Sequence, residues 1–165
     1  MTKRITIILI LLSMTLLFAL EPSKGAIGVH AGTSTGMGLS GLYSIDKSAL
    51  QFTFFVLSTG VRDDNDSYTT FNMGLNYMVP LKEYRESRFY IKAGGAYYYQ
   101  TEKEEFAQNW DTVHDYYLGV GPGFEFIPLR SLPELRFNVE LPFTINKNKQ
   151  IQMLVPAAGL YYHFL

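Results

Sequence analysis

The sequence predicts an all-β protein, an eight-stranded antiparallel up-and-down barrel, on three observations. Apolar and polar residues alternate with a period of two over long stretches, which is typical of strands with one apolar face. Short polar segments interrupt these stretches. No stretch has the apolar spacing of an amphipathic helix. The clearest alternation lies at 135–145, where one face carries Leu135, Phe137, Val139, Leu141, Phe143 and Ile145.

The strands follow from the breaks between them. Segments rich in Asp, Asn, Ser, Pro and charged residues predict seven turns or loops, at 33–35, 46–48, 62–67, 82–87, 102–113, 130–134 and 146–149. An even number of strands places both termini at one end of the barrel. The eight predicted strands are 26–32, 36–45, 49–61, 68–81, 88–101, 114–128, 135–145 and 150–164.

The N-terminal residues have the pattern of a secretory signal peptide. Lys3 and Arg4 give a basic start, and an uncharged, mostly apolar run follows from Ile5 to Leu20. We therefore expect residues 1–19 to be a signal peptide and residues 20–165 to form one barrel domain. The chain has no Cys, so it has neither a lipoprotein attachment site nor a disulfide framework.

The charge balance argues against nucleic acid as a partner. The chain carries 14 Lys and Arg against 15 Asp and Glu. Loss of Lys3 and Arg4 with the signal peptide would take the net charge from −1 to −3. Proteins that bind nucleic acid present an excess of basic residues, which this chain lacks.

The composition of the two strand faces favours a barrel in a membrane. One face is large and aromatic. The other is small or polar, and a narrow barrel needs such residues inside. Strands of about 9–11 residues can cross a bilayer, where closure pairs every backbone group. The inward face carries Asn72, Gly74, Asn76, Lys92, Gly94, Gly119, Gly121, Gly123, Glu125, Arg136, Asn138 and Glu140.

The C-terminal strand carries the most specific resemblance. Its alternating residues Leu160, Tyr162 and Phe164 form an apolar, aromatic face, and Leu165 follows them. In this respect the chain resembles the small eight-stranded outer-membrane proteins of diderm bacteria, the group of OmpX, the OmpA transmembrane domain and the opacity-type adhesins. The resemblance implies a transmembrane barrel in the bacterial outer membrane, with membrane lipid around it. It also implies that the outer-membrane assembly machinery reads Leu160, Tyr162 and Phe164.

Four charged residues share the inward phase of strands five to seven. Lys92, Glu125, Arg136 and Glu140 are expected to form a lumen charge network, because an unpaired buried charge is costly. We expect Glu125 to lie between Lys92 and Arg136 at the end of the barrel that carries the termini. Such a network would fill the lumen and leave no large pore.

The function predicted on this basis is non-enzymatic, either structural or a surface interaction with an unknown partner. No catalytic, cofactor-binding or metal-ligating residue is assigned, and no cofactor is expected. An outer-membrane enzyme that modifies lipid A is one alternative, and Ser34, Asp111 and His114 could gather at the outer rim for it. A secreted lipocalin-like carrier with an apolar lumen is the other. The acidic segment at 62–67 is expected to be a solvated loop.

Three prolines conflict with regular strand pairing. Pro122, Pro142 and Pro156 lie within three neighbouring predicted strands, although proline cannot donate a ladder hydrogen bond. In the last strand the alternation also changes phase. Ile151 and Val155 follow one register, whereas Leu160 follows the other. A bulge near Pro156 would account for this change.

Overall fold

A computed structural model describes residues 24–60, 67–103 and 111–164. Among these residues, no helix is long and apolar enough to span a membrane. The predicted signal peptide at 1–19, nearly all of the acidic segment at 62–67 and most of the break at 102–113 lie outside the described residues. The strands are β1 (Gly25–Gly32), β2 (Gly36–Ile45), β3 (Ser48–Gly60), β4 (Ser67–Glu83), β5 (Ser87–Lys103), β6 (Asp111–Phe126), β7 (Leu135–Glu140), β8 (Phe143–Asn146), β9 (Ile151–Gln152) and β10 (Ala157–His163).

These strands close into the predicted eight-stranded antiparallel barrel. Each strand from β1 to β6 pairs with its neighbours in the sequence, and β10 pairs with both β7 and β1. The pairing of β5 with β6 and of β6 with β7 completes the ring. Strands β7 and β8 are two parts of the seventh wall strand, and β9 and β10 are two parts of the eighth. The predicted fold class is therefore confirmed.

The strand register fixes the width of the barrel. Residues of each strand pair with residues on the next strand, and these pairs can be followed around the ring. A path that starts at Tyr97 on β5 passes through Val29 and Leu160 and returns to β5 at Ser87. The stagger is therefore ten residues. At about 3.3 Å per residue and about 4.8 Å between strands, it tilts the strands by about 41° and gives a radius of about 8 Å.

The two faces of the wall have the polarity of a membrane barrel. Polar side chains fill the interior, including Gln51, Thr53 and Asn138, each with 0% exposure. Large apolar side chains point outward, and Leu75 is 60% exposed. A lipocalin-like carrier would have the reverse arrangement, so the structure excludes that alternative. The outward band also includes Val29, Leu39, Met73, Val79, Leu118, Val120, Val139 and Leu160.

Two aromatic girdles bound this outward band. Phe89 and Tyr99 on β5 lie ten residues apart, which is about 25 Å along the axis of a barrel with this tilt. The apolar band of outer-membrane barrels is also about 25 Å tall. The upper girdle consists of Phe71, Tyr97, Tyr99 and Tyr116, and the lower girdle consists of Phe89, Phe124, Phe126, Phe137, Tyr162 and Phe164.

The wall differs in height around the ring. Strands β4 and β5 have 17 residues each and β6 has 16, whereas β1 has 8 and β10 has 7. We call β3–β6 the tall wall, and β10, β1 and β2 the low wall. The low wall ends at Gly32 and Gly36, near the upper girdle. The tall wall continues past that girdle to Lys103 on β5, about 10 Å above Tyr99.

The three prolines lie next to one another across the wall, and we call them the proline seam. The Pro122 carbonyl accepts a hydrogen bond from Leu141 N at 3.1 Å, and the Pro142 carbonyl accepts one from Val155 N at 3.2 Å. The seventh wall strand is interrupted between β7 and β8, beside Pro122. The prolines are therefore accommodated by interruptions of the ladder that fall on adjacent strands.

The predicted bulge near Pro156 is confirmed. Ala157 pairs with Glu140, whereas Gln152 pairs with Thr144. Four residues, 153–156, thus lie opposite the three residues 141–143. The additional residue shifts the register by one, and Leu154 adopts a positive φ of 53° there.

A charge on the lipid-facing side should destabilise the barrel. We expect Leu75→Arg to lower the free energy of unfolding by about 2–4 kcal/mol, because Leu75 lies deep in the apolar band. Leu75→Val is the matched control and should cost less than about 1.5 kcal/mol. Chemical denaturation of the protein folded into phosphatidylcholine vesicles measures both values. Equal effects of the two substitutions would contradict the assignment of this face to lipid.

Candidate functional site: the barrel lumen

The turn at 33–35, between β1 and β2, folds into the lumen instead of extending away from it. Ser34 and Thr35 are each only 1% exposed. Asn76 Nδ2 donates to the Thr35 carbonyl at 3.4 Å, and His30 Nε2 is hydrogen bonded to Thr35 Oγ1 at 2.8 Å. Tyr98 OH, on the tall wall, lies 2.9 Å from the carbonyl oxygen of Thr33. The turn therefore closes the upper part of the lumen.

Two glycines on the tall wall make room for this turn. A Cβ atom on Gly74 would collide with the carbonyl group of Thr35, and one on Gly119 would collide with the side chain of Ser34. Both glycines belong to the inward face that the sequence predicts to be small. The narrow lumen explains that face in general, and the inserted turn explains these two positions.

A buried ion pair lies below the turn. The Lys92 ammonium pairs with the Glu140 carboxylate and also donates to Gln51 Oε1 at 2.8 Å. Tyr90 OH donates to Glu140 Oε1 at 2.8 Å, and His30 Nε2 lies 3.7 Å from Glu140 Oε2. All these side chains are at least 95% buried. We call Lys92, Glu140, Gln51, Tyr90 and His30 the central cluster.

The central cluster extends to the opposite wall through hydroxyl groups. Gln51 Nε2 donates to Tyr161 OH at 2.5 Å, and Tyr161 OH donates to Ser40 Oγ at 2.9 Å. These bonds connect β3, β10 and β2 across the lumen. These polar contacts cross-link the lumen, next to a small apolar cluster that includes Ala26, Leu42, Ala49 and Met78.

A second charged group lies at the end of the barrel where the described termini meet. Glu125 is 1% exposed, and its two carboxylate oxygens accept from Arg88 Nη2 and Arg136 Nη1, each at 3.0 Å. Arg88 and Arg136 are partly exposed at the mouth, with side-chain exposures of 17% and 35%. We call Glu125, Arg88 and Arg136 the lower cluster.

Glu125 was expected to lie between Lys92 and Arg136, and this prediction is wrong for Lys92. Glu125 pairs with Arg136, but its second cation is Arg88, and Lys92 pairs with Glu140. Strand β5 begins at Ser87, so Arg88 lies directly opposite Glu125. Lys92 lies four residues further along, about 13 Å away. The four charges predicted as one network therefore occupy two clusters.

Arg88, which was not predicted as a site residue, is assigned to the inward face by the period of two. Arg88 has the same strand parity as Lys92, so it belongs to the inward face of the predicted strand at 88–101. Tyr90 follows the same parity and supplies a hydroxyl to the central cluster. The period of two alone therefore predicts that the side chains of Arg88 and Tyr90 point into the lumen.

The proposed combination of Ser34, Asp111 and His114 does not assemble. Ser34 lies inside the lumen, whereas His114 lies on the outer face, with Nδ1 2.6 Å from Tyr97 OH. The barrel wall separates the two side chains, so His114 cannot activate Ser34. The side chain of Asp111 lies outside the described residues.

The histidines form no cluster in the described part of the chain. His30 belongs to the central cluster, and His163 lies opposite Ala26, four residues from His30 along β1. Within residues 24–60, 67–103 and 111–164, no group of three or more His, Cys, Asp or Glu side chains is placed to hold a metal ion.

Leu160 and Tyr162 of the predicted assembly signal lie on the outer face of β10, and Phe164 follows directly after that strand. Leu160 and Tyr162 are 39% and 43% exposed, and the rings of Tyr162 and Phe164 are in contact at 5.9 Å. Phe164 N donates to the Gly25 carbonyl at 2.9 Å, so the last described residue is tied to the first strand. Recognition of these residues by the assembly machinery stays a prediction.

Taken together, the closed ring, the outward apolar band, the two girdles and the polar lumen define the class. The chain is a membrane-spanning β-barrel protein of the bacterial outer-membrane type. The class follows from the strand pairing and from the distribution of side chains between the two faces.

Comparison with known proteins gives distant structural likenesses, including the following two. A crystal structure of Neisserial surface protein A is similar with 13% sequence identity and a TM-score of 0.45, covering 85% of this chain and 93% of that one. The crystal structure of Ail, the attachment invasion locus protein of Yersinia pestis, is similar with 11% identity and a TM-score of 0.37, covering 83% and 89%. No protein-family model and no curated protein matches the chain.

Neutralising Glu125 should destabilise the barrel more than neutralising an exposed glutamate. We expect Glu125→Gln to cost about 3 kcal/mol, at the low end for a buried pair because Arg136 keeps contact with water. Glu86→Gln is the matched control, because Glu86 pairs with Arg130 at the surface, and should cost less than about 1 kcal/mol. Urea unfolding in vesicles compares the two. Indistinguishable costs would show that the lower cluster contributes nothing.

The ion pair of the central cluster should show strong coupling. We expect Lys92→Met and Glu140→Gln each to cost about 3–5 kcal/mol, because each leaves one buried charge without its partner. The double variant should be less destabilised than the sum of the two by about 1–3 kcal/mol. A double-mutant cycle of unfolding free energies gives this coupling. Strict additivity would mean that Lys92 and Glu140 do not interact in the folded barrel.

Proposed function

We propose that the chain is a non-enzymatic outer-membrane barrel protein of a diderm bacterium, with a structural or surface-interaction role. The observation that carries this proposal is the filled lumen. The lower cluster, the central cluster and the inserted turn lie one above another along the lumen, from one end of the barrel to the other. A barrel of about 8 Å radius that is packed in this way has no room for a conducting pathway.

The charge pairing supports a structural role for the lumen over a transport role. Lys92 and Glu140 neutralise each other at the centre, and neither is exposed to bulk water. A solute that crossed the barrel would have to break these contacts and leave charges unpaired, which is costly. The interior thus supports the stability of the barrel and leaves the outer surface as the place for function.

The tall wall supports a role in surface interaction. Strands β4, β5 and β6 continue beyond the upper girdle, whereas the low wall ends near it. The outward face of the tall wall carries polar residues such as Thr69 on β4 and Ser58 on β3, whose hydroxyl groups lie 3.0 Å apart. A projecting sheet of this kind places protein surface beyond the lipid head groups. The partner that would contact it is unknown.

Two further partners belong to the proposal. Membrane lipid would surround the apolar band between the girdles. The outer-membrane assembly machinery would read Leu160, Tyr162 and Phe164 on the last strand. The alternative of a lipid-modifying enzyme requires a serine, a histidine and an acid on one face, and the separation of Ser34 from His114 removes the combination that suggested it.

Surface labelling tests the location and orientation. The chain has no Cys, so a single introduced Cys can be labelled without background. Asn148 lies in the turn between β8 and β9, and Arg85 lies in the turn between β4 and β5 at the other end of the barrel. We expect a membrane-impermeant maleimide to label Asn148→Cys in intact cells and Arg85→Cys only after lysis. The opposite pattern, or labelling of neither in the outer-membrane fraction, would contradict the proposal.

A further inference from the structure

A cleft of about 470 Å³ lies above the inserted turn, between the tall wall and the low wall. Its volume is within the range of small-molecule sites, about 300–1,000 Å³. On one side it is lined by Tyr98, Tyr117 and Gln100 of β5 and β6. On the other side it is lined by Ala31, Met37 and Pro156, at the upper end of the low wall.

The two sides of this cleft belong to opposite faces of the barrel wall. The alternation along β5 and β6 places Tyr98 and Tyr117 on the lumen side of the wall. Their neighbours in the sequence, Tyr97 and Leu118, face the lipid. Ala31 and Met37 have the parity of the lipid-facing side, and Met37 is 50% exposed. A single cleft can contact both faces only because the low wall ends there. The cleft is therefore open sideways, toward the membrane.

The depth of the cleft matches the head-group region of the outer leaflet. Tyr98 directly follows Tyr97 of the upper girdle, and Tyr117 directly follows Tyr116. Aromatic girdles of membrane barrels mark the interface between hydrocarbon and head groups. Ala31, Met37 and Pro156, which line this side of the cleft, are apolar, and the neighbouring Met153 and Leu154 are 73% and 52% exposed.

The floor of the cleft is closed. Tyr98 OH lies 2.9 Å from the carbonyl oxygens of both Gly32 and Thr33, which ties the tall wall to the inserted turn. The rings of Tyr98 and Tyr117 pack edge to face at 5.7 Å. A molecule that enters the cleft from the membrane therefore stops there and cannot continue into the lumen.

The upper end of the cleft is polar. Gln100 and Asp115 line it, and Asp115 Oδ1 lies 2.9 Å from Lys147 Nζ. The Asp115 and Lys147 side chains keep 34% and 36% exposure, so both charges also reach solvent. The cleft thus has an apolar opening at membrane depth, and above it a hydrogen-bonding amide, a negative charge and a positive charge. This order of apolar and polar groups matches that of an amphiphile.

We propose that this cleft binds one lipid of the outer leaflet. An acyl chain enters between Ala31, Met37 and Pro156 and packs against Tyr98 and Tyr117. The polar head lies beside Gln100, Asp115 and Lys147. Lipid is the occupant because the opening faces the membrane, where lipid acyl chains are the surrounding solvent. The proposal rests on the membrane location proposed above, and its test is separable from that location.

The test uses neighbouring tryptophan reporters. Trp110 is the only tryptophan, so Trp110→Phe gives a silent background. In this background, Tyr117→Trp reports the cleft and Leu118→Trp reports the lipid-facing side one residue away. The probe is vesicles of phosphatidylcholine brominated on the upper part of its acyl chains, compared with unbrominated vesicles. Iodide in the aqueous phase reports access of water. Gln100→Trp is a second cleft reporter if Tyr117→Trp does not fold.

We expect brominated lipid to quench both the cleft reporter and Leu118→Trp. Adding Ala31→Phe, which fills the cleft, should reduce quenching at the cleft reporter by about twofold or more, because an occupied pocket excludes its ligand. Ala93→Phe is the matched control on the lipid-facing side of β5 and should change nothing. The difference between these variants separates lipid inside the cleft from lipid quenching across the wall.

Other results would overturn one proposal or both. If Leu118→Trp is quenched by brominated lipid but the cleft reporter is quenched only by iodide, the cleft is water-filled and the lipid site is wrong. The same conclusion follows if Ala31→Phe and Ala93→Phe give equal quenching. If Leu118→Trp itself is not quenched by brominated lipid, the membrane-spanning position of the barrel fails, and the lipid site fails with it.

Discussion

Backbone hydrogen bonding is the constraint on which the rest of this structure depends. In hydrocarbon, each N–H and C=O group needs a partner within the protein, and closure of the sheet meets that need. Closure with eight strands and a ten-residue stagger leaves a radius of about 8 Å. The narrow interior then restricts which side chains can lie inside the barrel. Glycine is required where a turn enters at Gly74 and Gly119, and buried charges lie beside charges of opposite sign, as Lys92 does beside Glu140.

The period of two was sufficient to predict the faces, because every wall strand keeps one side in lipid and the other in the lumen. Leu75 and Asn76 are adjacent in the chain and lie on opposite faces as the alternation requires. Partner choice depends on the position of each strand along its neighbour. Only the observed register shows that Arg88, and not Lys92, lies opposite Glu125. An error of a few residues in a turn changes every cross-strand pair.

The inserted turn lay beyond what local pattern could predict. Thr33, Ser34 and Thr35 have the composition of an ordinary exposed turn, and their burial depends on contacts with Asn76 and Tyr98, far along the chain. The cleft depends on the same fact, since it exists where the low wall ends and the tall wall continues. The relative height of the two walls depends on how all the strands are aligned in the closed ring, so it cannot be predicted from the sequence of a single strand.

The proline seam makes the barrel mechanically unequal around its circumference. The strands of the tall wall have 13–17 residues each, whereas the seventh and eighth wall strands are divided into pieces of 2–7 residues. Resistance to shear between strands grows with the length of uninterrupted ladder. The tall wall is therefore the stiffer part of the ring, and the seventh and eighth wall strands are the more compliant part. Backbone amide protons of β8 and β9, beside Pro142 and Pro156, are therefore expected to exchange with water before those of β4 and β5.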